Sequence, residues 1–204
     1  MLPSSRSLLV LGLDTANLKR GILRYGRVQR KRALSPTVGE IQLENPDNSE
    51  RRAKSMPYWL MKSEPDEFSI RDLEQAQQAR WDGVRNYQAR NFIRAMAPGD
   101  EFLFYHSSCA TPGVAGIGRV LRGAYPDPTA LDPESPYFDE KSDAATNRWS
   151  AVDVGFGERF SQVLPLSRLK REPALAELPL VQKASRLSVM PVTEAQWQAI
   201  LSLR

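Results

Sequence analysis

The apolar residues of this chain occur in short runs of strand length, and this feature most restricts the folds it can adopt. The runs are bounded by turn-forming residues such as Pro98-Gly99, which is typical of a sheet built from short strands. Glycines at alternate positions in one run, Gly116 and Gly118, predict a bend or a close approach of two backbones. The predicted strands are Tyr58–Lys62, Phe102–Tyr105, Val114–Leu121, Trp149–Phe156, Arg159–Leu166 and Leu187–Met190, with the fourth and fifth joined near Gly155 and Gly157.

Short helices are predicted between these runs. Ser69 followed by Asp72 is a helix start signal, as is Thr193 followed by Gln196. The expected helices run from Ser69 to about Gln78, from about Ala89 to Met96, around Ala174–Glu177, and from Thr193 onwards with Trp197, Ile200 and Leu201 buried. About six strands with short helices indicate an α+β fold, a small and mostly antiparallel β-barrel with helices packed on it.

The first quarter of the chain differs in composition from the rest. Residues 1–56 contain 11 basic and 5 acidic residues, net +6, whereas residues 57–204 contain 17 and 19, net −2. We interpret residues 1–55 as an unstructured or artefactual extension. A transit peptide and a basic arm that binds nucleic acid are alternatives. A further alternative is that translation starts at Met56. Residues 56–204 are predicted to form the folded domain.

Several classes of protein are disfavoured by residue counts. The single Cys109 excludes an internal disulfide framework and indicates a reducing compartment, so we expect a cytoplasmic protein, or a nuclear or organellar one in a eukaryote. The single His106 leaves little material for a metal cage, and no cofactor is predicted. No apolar run approaches the roughly 20 residues needed to span a bilayer, so no membrane partner is expected.

The stretch Trp81–Asn91 is the strongest candidate for binding chemistry. Trp81 and Tyr87 offer flat faces for stacking, while Asp82 and Asn86 offer donors and acceptors for the edge of a heterocycle. We interpret the stretch as one wall of a pocket for a planar ligand. A core position for Trp81 and a helix-cap role for Asn86 are the alternatives. Three arginines in or next to the stretch would contact phosphates or simply form a solvated helix face: Arg85, Arg90 and Arg94.

Residues outside this stretch supply further candidates. Tyr137 and Phe138 lie in an acidic, proline-rich loop, where they would form a lid over the pocket or anchor the loop. His106 is three residues from Cys109, but no third group or motif supports nucleophilic catalysis, so His106 is interpreted as a hydrogen-bonding pocket residue.

Several long motifs occur in order along the chain. They begin with the run from Tyr58 to Pro65, continue through Trp81–Asn91 and include Phe104-Tyr105-His106-Ser107. They extend through Pro112–Gly116, Tyr137-Phe138-Asp139, Trp149–Val154 and Arg186–Val189. Together these motifs resemble the EVE domain family over about residues 57–203, and a match of this length is far more specific than a lone glycine pattern.

The resemblance implies a PUA-like fold, related to the YTH domains that recognise N6-methyladenine in RNA. The family is regarded as reading modified bases, chiefly methylated or hydroxymethylated cytosine in DNA, with modified RNA also proposed. By analogy with YTH domains, Lys62, Ser63, Glu64, Trp81 and Asp82 would lie at the base and side of the cavity. Glu64 stands where YTH domains typically carry asparagine.

The leading hypothesis is therefore a non-enzymatic protein that binds a flipped or single-stranded modified base in an aromatic pocket, with methylated or hydroxymethylated cytosine in DNA as the first candidate. An unidentified effector protein would be a further partner, because the negative charge balance of residues 57–204 disfavours tight non-specific binding. The alternatives are a PUA-type binder of modified RNA and, last, an enzyme acting on a small heterocycle through His106, Glu64 or Asp82.

Overall fold

The computed structural model describes residues 28–30, 58–183 and 185–204. Apart from Val28–Arg30, which form a short strand, the predicted extension lies outside the described residues. The predicted domain division at residue 56 therefore stays a prediction.

The described strands form one seven-stranded sheet. They are β1 (Val28–Arg30), β2 (Tyr58–Ser63), β3 (Gln78–Trp81), β4 (Glu101–His106), β5 (Gly113–Pro126), β6 (Ser150–Pro165) and β7 (Val189–Val192). Their order is β1-β3-β6-β5-β4-β2-β7, and only the neighbours β2 and β4 run parallel. The α+β class and the mostly antiparallel sheet predicted from sequence are confirmed.

Closure into a barrel is not observed. In the described part of the chain, the sheet ends at β1 on one side and β7 on the other, and these two strands are not paired with each other. The sheet curls instead, so that its inner face is filled by side chains from both halves. Trp81 on β3, for example, contacts Phe102 and Phe104 on β4, which lies three positions away in the strand order.

Strand alternation divides the core into two clusters, one on each face of the sheet. On the inner face, Trp59 and Met61 pack with Phe102 and Phe104. On the outer face, Leu60 packs with Leu103 and with residues of the C-terminal segment. Because both faces are covered, β2 and β4 are apolar at nearly every position, which is typical of a buried parallel pair.

In the part of the chain that the structure describes, four short helices cover these faces: α1 (Ile70–Ala76), α2 (Tyr87–Ala95), α3 (Leu166–Leu169) and α4 (Glu194–Ser202). The capping boxes predicted at Ser69 and Thr193 are both present. Single 3-10 turns occur at Pro128–Ala130 and at Pro173–Leu175, the latter close to the predicted helix around Ala174–Glu177. None of the helices that the structure describes has the length and apolar character needed to cross a bilayer.

Two predicted boundaries are wrong for backbone reasons. The first helix was expected to reach about Gln78, but Gln77 adopts a left-handed conformation with φ of 61° and ends α1, so that Gln78 begins β3. The predicted strand pair at Trp149–Phe156 and Arg159–Leu166 is one continuous strand, β6. Gly155 and Gly157 do not form a turn, because the ladder with β5 continues past them through Phe156 and Glu158.

Gly116 and Gly118 of β5 allow neighbouring groups to approach the strand backbone closely, as predicted from the sequence. A Cβ atom at Gly116 would lie 2.8 Å from the Ile70 side chain and 2.3 Å from the Glu158 carbonyl oxygen. A Cβ atom at Gly118 would lie 2.3 Å from the Phe102 ring. These glycines therefore let α1 and the aromatic core pack directly on the β5 backbone.

Replacing Gly118 with alanine is expected to lower the free energy of unfolding by about 1–3 kcal/mol, because the added methyl group overpacks the core against Phe102. Urea denaturation measures this change. Gly123→Ala is the matched control on the same strand, since its nearest neighbour lies at 3.4 Å. Equal stability of the two variants would contradict the packing account.

Candidate nucleic-acid interface

Trp81 ends β3 with its side chain completely buried in the inner cluster. Its ring makes edge-to-face contacts with Phe102 and Phe104, with centroids 6.0 and 5.5 Å away. The open stacking face predicted for Trp81 is therefore not seen. Its indole Nε1, however, is buried and has no hydrogen-bond partner in the described part of the chain. Such an unpaired buried donor is costly, which makes it a candidate for ligand contact.

Asp82 follows Trp81 and is also completely buried. Its Oδ2 accepts a hydrogen bond from Arg80 Nε at 2.6 Å, while Oδ1 has no partner among the residues described. Burial raises the pKa of this carboxyl to about 7, and nearby Asp127 adds to the rise, although Arg80 opposes it. Near neutral pH this side chain can thus exchange between a hydrogen-bond donor and a charged acceptor.

The chain then turns at Gly83, whose φ of 73° favours glycine. The Gly83 N–H donates to Asp127 Oδ2 at 2.9 Å, which ties the segment after β3 to the beginning of the acidic loop. Arg85 makes the same connection with its side chain. It donates to Asp127 Oδ2 at 2.7 Å, to Thr129 Oγ1 at 3.1 Å and to the carbonyl oxygen of Tyr137 at 2.8 Å through Nε.

The phosphate contact at Arg85 stays a prediction, and the described structure gives this side chain another role. Its guanidinium is already used by protein acceptors, so Arg85 anchors the loop rather than presenting a free cation. Of the two predicted lid residues, Tyr137 is buried and its carbonyl oxygen is held by Arg85. Phe138 is 41% exposed and lies on the surface of the loop.

An arginine-rich surface, here called the arginine ridge, is formed by Tyr87, Arg90, Arg94 and Arg148. Tyr87 is 53% exposed and stacks on Trp149 with ring centroids 5.0 Å apart. Arg90 Nη1 and Arg94 Nη2 both donate to the carbonyl oxygen of Arg148, at 3.1 and 3.2 Å. The ridge joins the start of α2 to the start of β6.

Arg148 and Trp149 were not predicted as site residues. Arg148 Nη1 donates to the Tyr87 hydroxyl at 3.2 Å, and its guanidinium forms a bidentate ion pair with Asp139. Arg148 thereby holds the pKa of Asp139 well below its usual range. In the sequence, the only indication of a binding role was an arginine next to a tryptophan at the end of an acidic loop. Their contacts with Tyr87 of α2 depend on the tertiary structure.

Asn86 takes the helix-cap role that was the alternative reading of this residue. Its Oδ1 accepts a hydrogen bond from the Ala89 N–H at 3.0 Å, at the N-terminus of α2, and its side chain is exposed. This cap fixes where α2 begins and therefore where Tyr87, Arg90 and Arg94 lie.

The remaining predicted pocket residues lie at the ends of β2 and β4. The Ser63 carbonyl oxygen accepts from the Ser107 N–H at 2.9 Å. The Glu64 carbonyl oxygen begins a turn by accepting from the Phe68 N–H at 2.9 Å. His106 Nε2 accepts from the Ile70 N–H at 3.1 Å, and burial lowers the pKa of the imidazole.

Lys62 lies on the opposite face of the sheet from Met61 and Trp81, because neighbouring side chains of a strand alternate. Its ammonium lies 5.8 Å from the centroid of the Tyr105 ring, a member of the outer cluster. Burial lowers the pKa of Lys62 to about 8. The structure thus separates Lys62 from the Trp81–Asp82 pair, with which the sequence had grouped it.

The described part of the chain is thus a small α+β domain with arginines clustered around an exposed tyrosine. The chain is a member of the EVE domain family, whose profile matches residues 57–203. The resemblance stated from the sequence is thereby confirmed.

Relatives with curated names agree with this assignment. Thymocyte nuclear protein 1 from human is 41% identical over 165 residues, covering 72% of this chain and 73% of that protein. The zebrafish protein of the same name is 38% identical over 208 residues, covering 93% of this chain and 86% of its own length.

Solved structures show the same fold. A crystal structure of a protein from Pseudomonas syringae is 66% identical, with a TM-score of 0.71, and covers 72% of this chain and 98% of that chain. The crystal structure of human thymocyte nuclear protein 1 in complex with DNA containing 5-methylcytosine is 40% identical, with a TM-score of 0.69, covering 72% and 96%.

The raised pKa of Asp82 predicts a pH dependence of stability. Because the folded-state pKa of about 7 exceeds the ordinary value of 3.8, the folded protein keeps a proton that the unfolded chain has lost between these values. The free energy of unfolding contributed by this group should therefore fall as pH rises from 3.8 to about 7. Asp82→Asn should remove this slope.

Urea denaturation at a series of pH values from acidic to mildly alkaline measures the slope. Asp66→Asn is the control, since Asp66 is exposed. If Asp82→Asn and Asp66→Asn change the pH profile equally, burial of the Asp82 carboxyl is not its cause.

Proposed function

We propose that this chain is a non-enzymatic protein that recognises a modified nucleobase in DNA, with 5-methylcytosine as the first candidate. The observation that carries the proposal is the human relative, which is 40% identical and was crystallised with DNA containing 5-methylcytosine. The base would be bound in a flipped or single-stranded form, because a base stacked inside a duplex cannot be enclosed by a protein pocket.

The polar atoms at the end of β3 suit the pairing edge of cytosine. Cytosine presents an amino group as a donor, for which an aspartate is a suitable acceptor. Asp82 Oδ1 is such an acceptor without a partner, and Trp81 Nε1 is a donor that could serve a ring nitrogen or carbonyl of the base. Since both atoms are buried, the proposal requires neighbouring side chains to move when the base enters.

The other predicted pocket residues are proposed to make additional contacts with the base or with the strand around it. Ser63, Glu64 and His106 remain proposed contacts at the ends of β2 and β4, next to the inner cluster. Lys62 faces the other side of the sheet and is proposed only for a contact outside the base itself. Tyr87 is proposed as a stacking surface on the arginine ridge, beside the cap residue Asn86.

The arginine ridge would bind the phosphates that flank the base. Residues 57–204 have a net charge of −2, so the domain cannot rely on a broad positive field for binding. Arg90 and Arg94, which have no carboxylate partner among the described residues, would supply the attraction instead, while Arg148 is neutralised by Asp139. Phe138 would contact the nucleic acid from the loop. Such contacts position the strand without reading its sequence.

Burial of the methyl group alone can give only a small preference for 5-methylcytosine over cytosine. Burying one carbon contributes about 0.8 kcal/mol, which corresponds to a preference of about fourfold. A larger preference would require shape or hydrogen bonds that the unmodified base cannot satisfy.

Fluorescence anisotropy with matched oligonucleotides tests the proposal. The panel contains cytosine, 5-methylcytosine, 5-hydroxymethylcytosine, adenine and N6-methyladenine, each in DNA and in RNA, at one fixed salt concentration. Preference for a modified cytosine in DNA supports the proposal, whereas preference for a modified base in RNA would favour an RNA-binding module. Equal affinity for modified and unmodified bases would show that the proposal is wrong.

Trp81→Phe is expected to weaken binding of the modified oligonucleotide by about fivefold, the value of one neutral hydrogen bond. The substitution removes no hydrogen bond from the folded protein, because the Trp81 N–H has no partner in the described structure. Hydrogen bonding therefore should not contribute to any change in stability. Anisotropy and thermal unfolding measure the two effects. Trp197→Phe is the control, since Trp197 packs on Tyr58 in the outer cluster. Unchanged binding by Trp81→Phe would remove Nε1 from the site.

Arg94→Gln is expected to weaken binding to modified and unmodified oligonucleotides alike, because it removes a phosphate contact. The slope of log affinity against log salt concentration should decrease by about 1. Arg119→Gln serves as the control, since Arg119 is exposed on β5 away from the ridge. A loss confined to the modified oligonucleotide would instead assign Arg94 to base recognition.

A further inference from the structure

Phe138 is a large apolar side chain that the fold leaves in contact with solvent. It is 41% exposed, and among the described residues its ring takes part in no aromatic or cation–π contact. A single exposed apolar residue is common and needs no special explanation. What distinguishes Phe138 is the way in which the backbone on both sides of it is held.

The two neighbours of Phe138 are each held by an arginine. The Tyr137 carbonyl oxygen accepts hydrogen bonds from Arg85 Nε, at 2.8 Å, and from Arg85 Nη2. The Asp139 carboxylate forms a bidentate ion pair with Arg148, with distances of 2.6 and 2.7 Å to Nη2. The exposed phenyl ring is therefore carried on a fixed backbone.

Both arginines connect Phe138 to the candidate interface. Arg85 lies three residues after Asp82, in the stretch that would contact the base. Arg148 Nη1 donates to the Tyr87 hydroxyl at 3.2 Å on the arginine ridge, the surface that would contact phosphates. Phe138 is thus tied, through its neighbours in the chain, to both parts of the proposed site.

We propose that Phe138 is a wedge that fills the gap left in a DNA duplex when the modified base leaves its stack, an inference that rests on the proposed function. Taking a base out of a duplex costs free energy of stacking and pairing. Proteins that deform DNA insert apolar side chains, phenylalanine among them, between base steps. The phenyl ring would return stacking contacts to the bases that flank the gap.

Tyr87, the other exposed aromatic side chain of the described residues, is less suited to this role. Its ring stacks on Trp149 with centroids 5.0 Å apart, and the Arg90 guanidinium lies 4.9 Å from its centroid. Its hydroxyl is bonded to Arg148. Tyr87 would have to give up these contacts to enter a duplex, whereas Phe138 has no ring contact to lose.

The charge of the loop favours contact with bases over contact with phosphates. Residues 132–140 contain four acidic residues and no basic one. Phosphates would be repelled by this segment. The uncharged ring of Phe138 is the group by which the segment can approach DNA, so its contact should depend little on salt concentration.

The backbone hydrogen bonds of the loop favour a wedge over a lid that closes on the base. The Phe138 N–H donates to the Ser135 carbonyl oxygen, and the Asp139 N–H donates to the Ala130 carbonyl oxygen, both at 3.0 Å. A lid would have to break such bonds in order to move. A wedge needs no movement of the loop, because the DNA is the partner that opens.

Binding of the full-length protein to a duplex and to a single strand, each with one 5-methylcytosine, tests the wedge. Phe138→Ala should weaken duplex binding by about tenfold, because stacking contacts with the flanking bases are lost. Single-strand binding should weaken much less, because a single strand has no continuous stack to fill. The slope of log affinity against log salt concentration should stay as in the wild type, since no charge is removed.

Two further variants separate the wedge from other effects of the loop. Phe138→Trp should keep duplex binding, because another large flat ring can fill the gap. Leu131→Ala is the matched control, since Leu131 is an apolar residue of the same loop and is 37% exposed. It should bind both oligonucleotides like the wild type. Thermal unfolding of each variant shows whether the fold is kept.

Three results would overturn the wedge. The first is a loss in Phe138→Ala that is equal on duplex and single strand, or no loss on the duplex. The second is an equal loss in Leu131→Ala, which would show a general effect of the loop. The third is a wild-type protein that binds the single strand only, since no base then leaves a stack.

The single strand judges the proposed function separately. If the wild type prefers a single strand with 5-methylcytosine to one with cytosine, the proposed function stands even where the wedge is wrong. If the wild type shows no such preference on either the single strand or the duplex, both proposals are wrong.

Discussion

The parallel pairing of β2 with β4 is the constraint on which the rest of the structure depends. Parallel neighbours cannot be joined by a tight turn, so the chain must leave the sheet and return through a long crossover. This crossover, residues 64–100, contains α1, β3 and α2. It carries Trp81, Asp82 and the helical part of the arginine ridge. The buried pair thus fixes the path along which the candidate binding residues are displayed.

The candidate interface combines a backbone held by hydrogen bonds with buried polar atoms that have no hydrogen-bond partner among the described residues. Arg85 and Gly83 tie the segment after β3 to Asp127 through hydrogen bonds of 2.7 and 2.9 Å, and Trp81 on the other side of Asp82 is paired with β6. Within this frame, Trp81 Nε1 and Asp82 Oδ1 are buried without partners among the described residues. Leaving such groups unpaired costs free energy, which a ligand with matching atoms would recover. In the proposed function, the modified base would supply these matching atoms.

Local signals in the sequence predicted the elements whose causes are local. The capping boxes at Ser69 and Thr193 are decided within one helical turn, and both are present. The close approach at Gly118 also followed from its position in an apolar strand. The two-strand interpretation of β6 was wrong because Gly155 and Gly157 carry turn signals, while pairing with β5 keeps the strand continuous. Sheet pairing is a long-range effect that overrides such signals.

The sequence by itself determined the family, the α+β class and the stretch that carries the candidate site, because these depend on motif order and local periodicity. Only the tertiary structure decided what each side chain in that stretch does. It buried the Trp81 ring, used the Arg85 guanidinium to anchor a loop, and brought Arg148 to Tyr87 from 61 residues away. It also placed Lys62 on the face opposite Trp81. The physical reason is that burial and hydrogen-bond partners depend on contacts between distant segments, which no local pattern encodes.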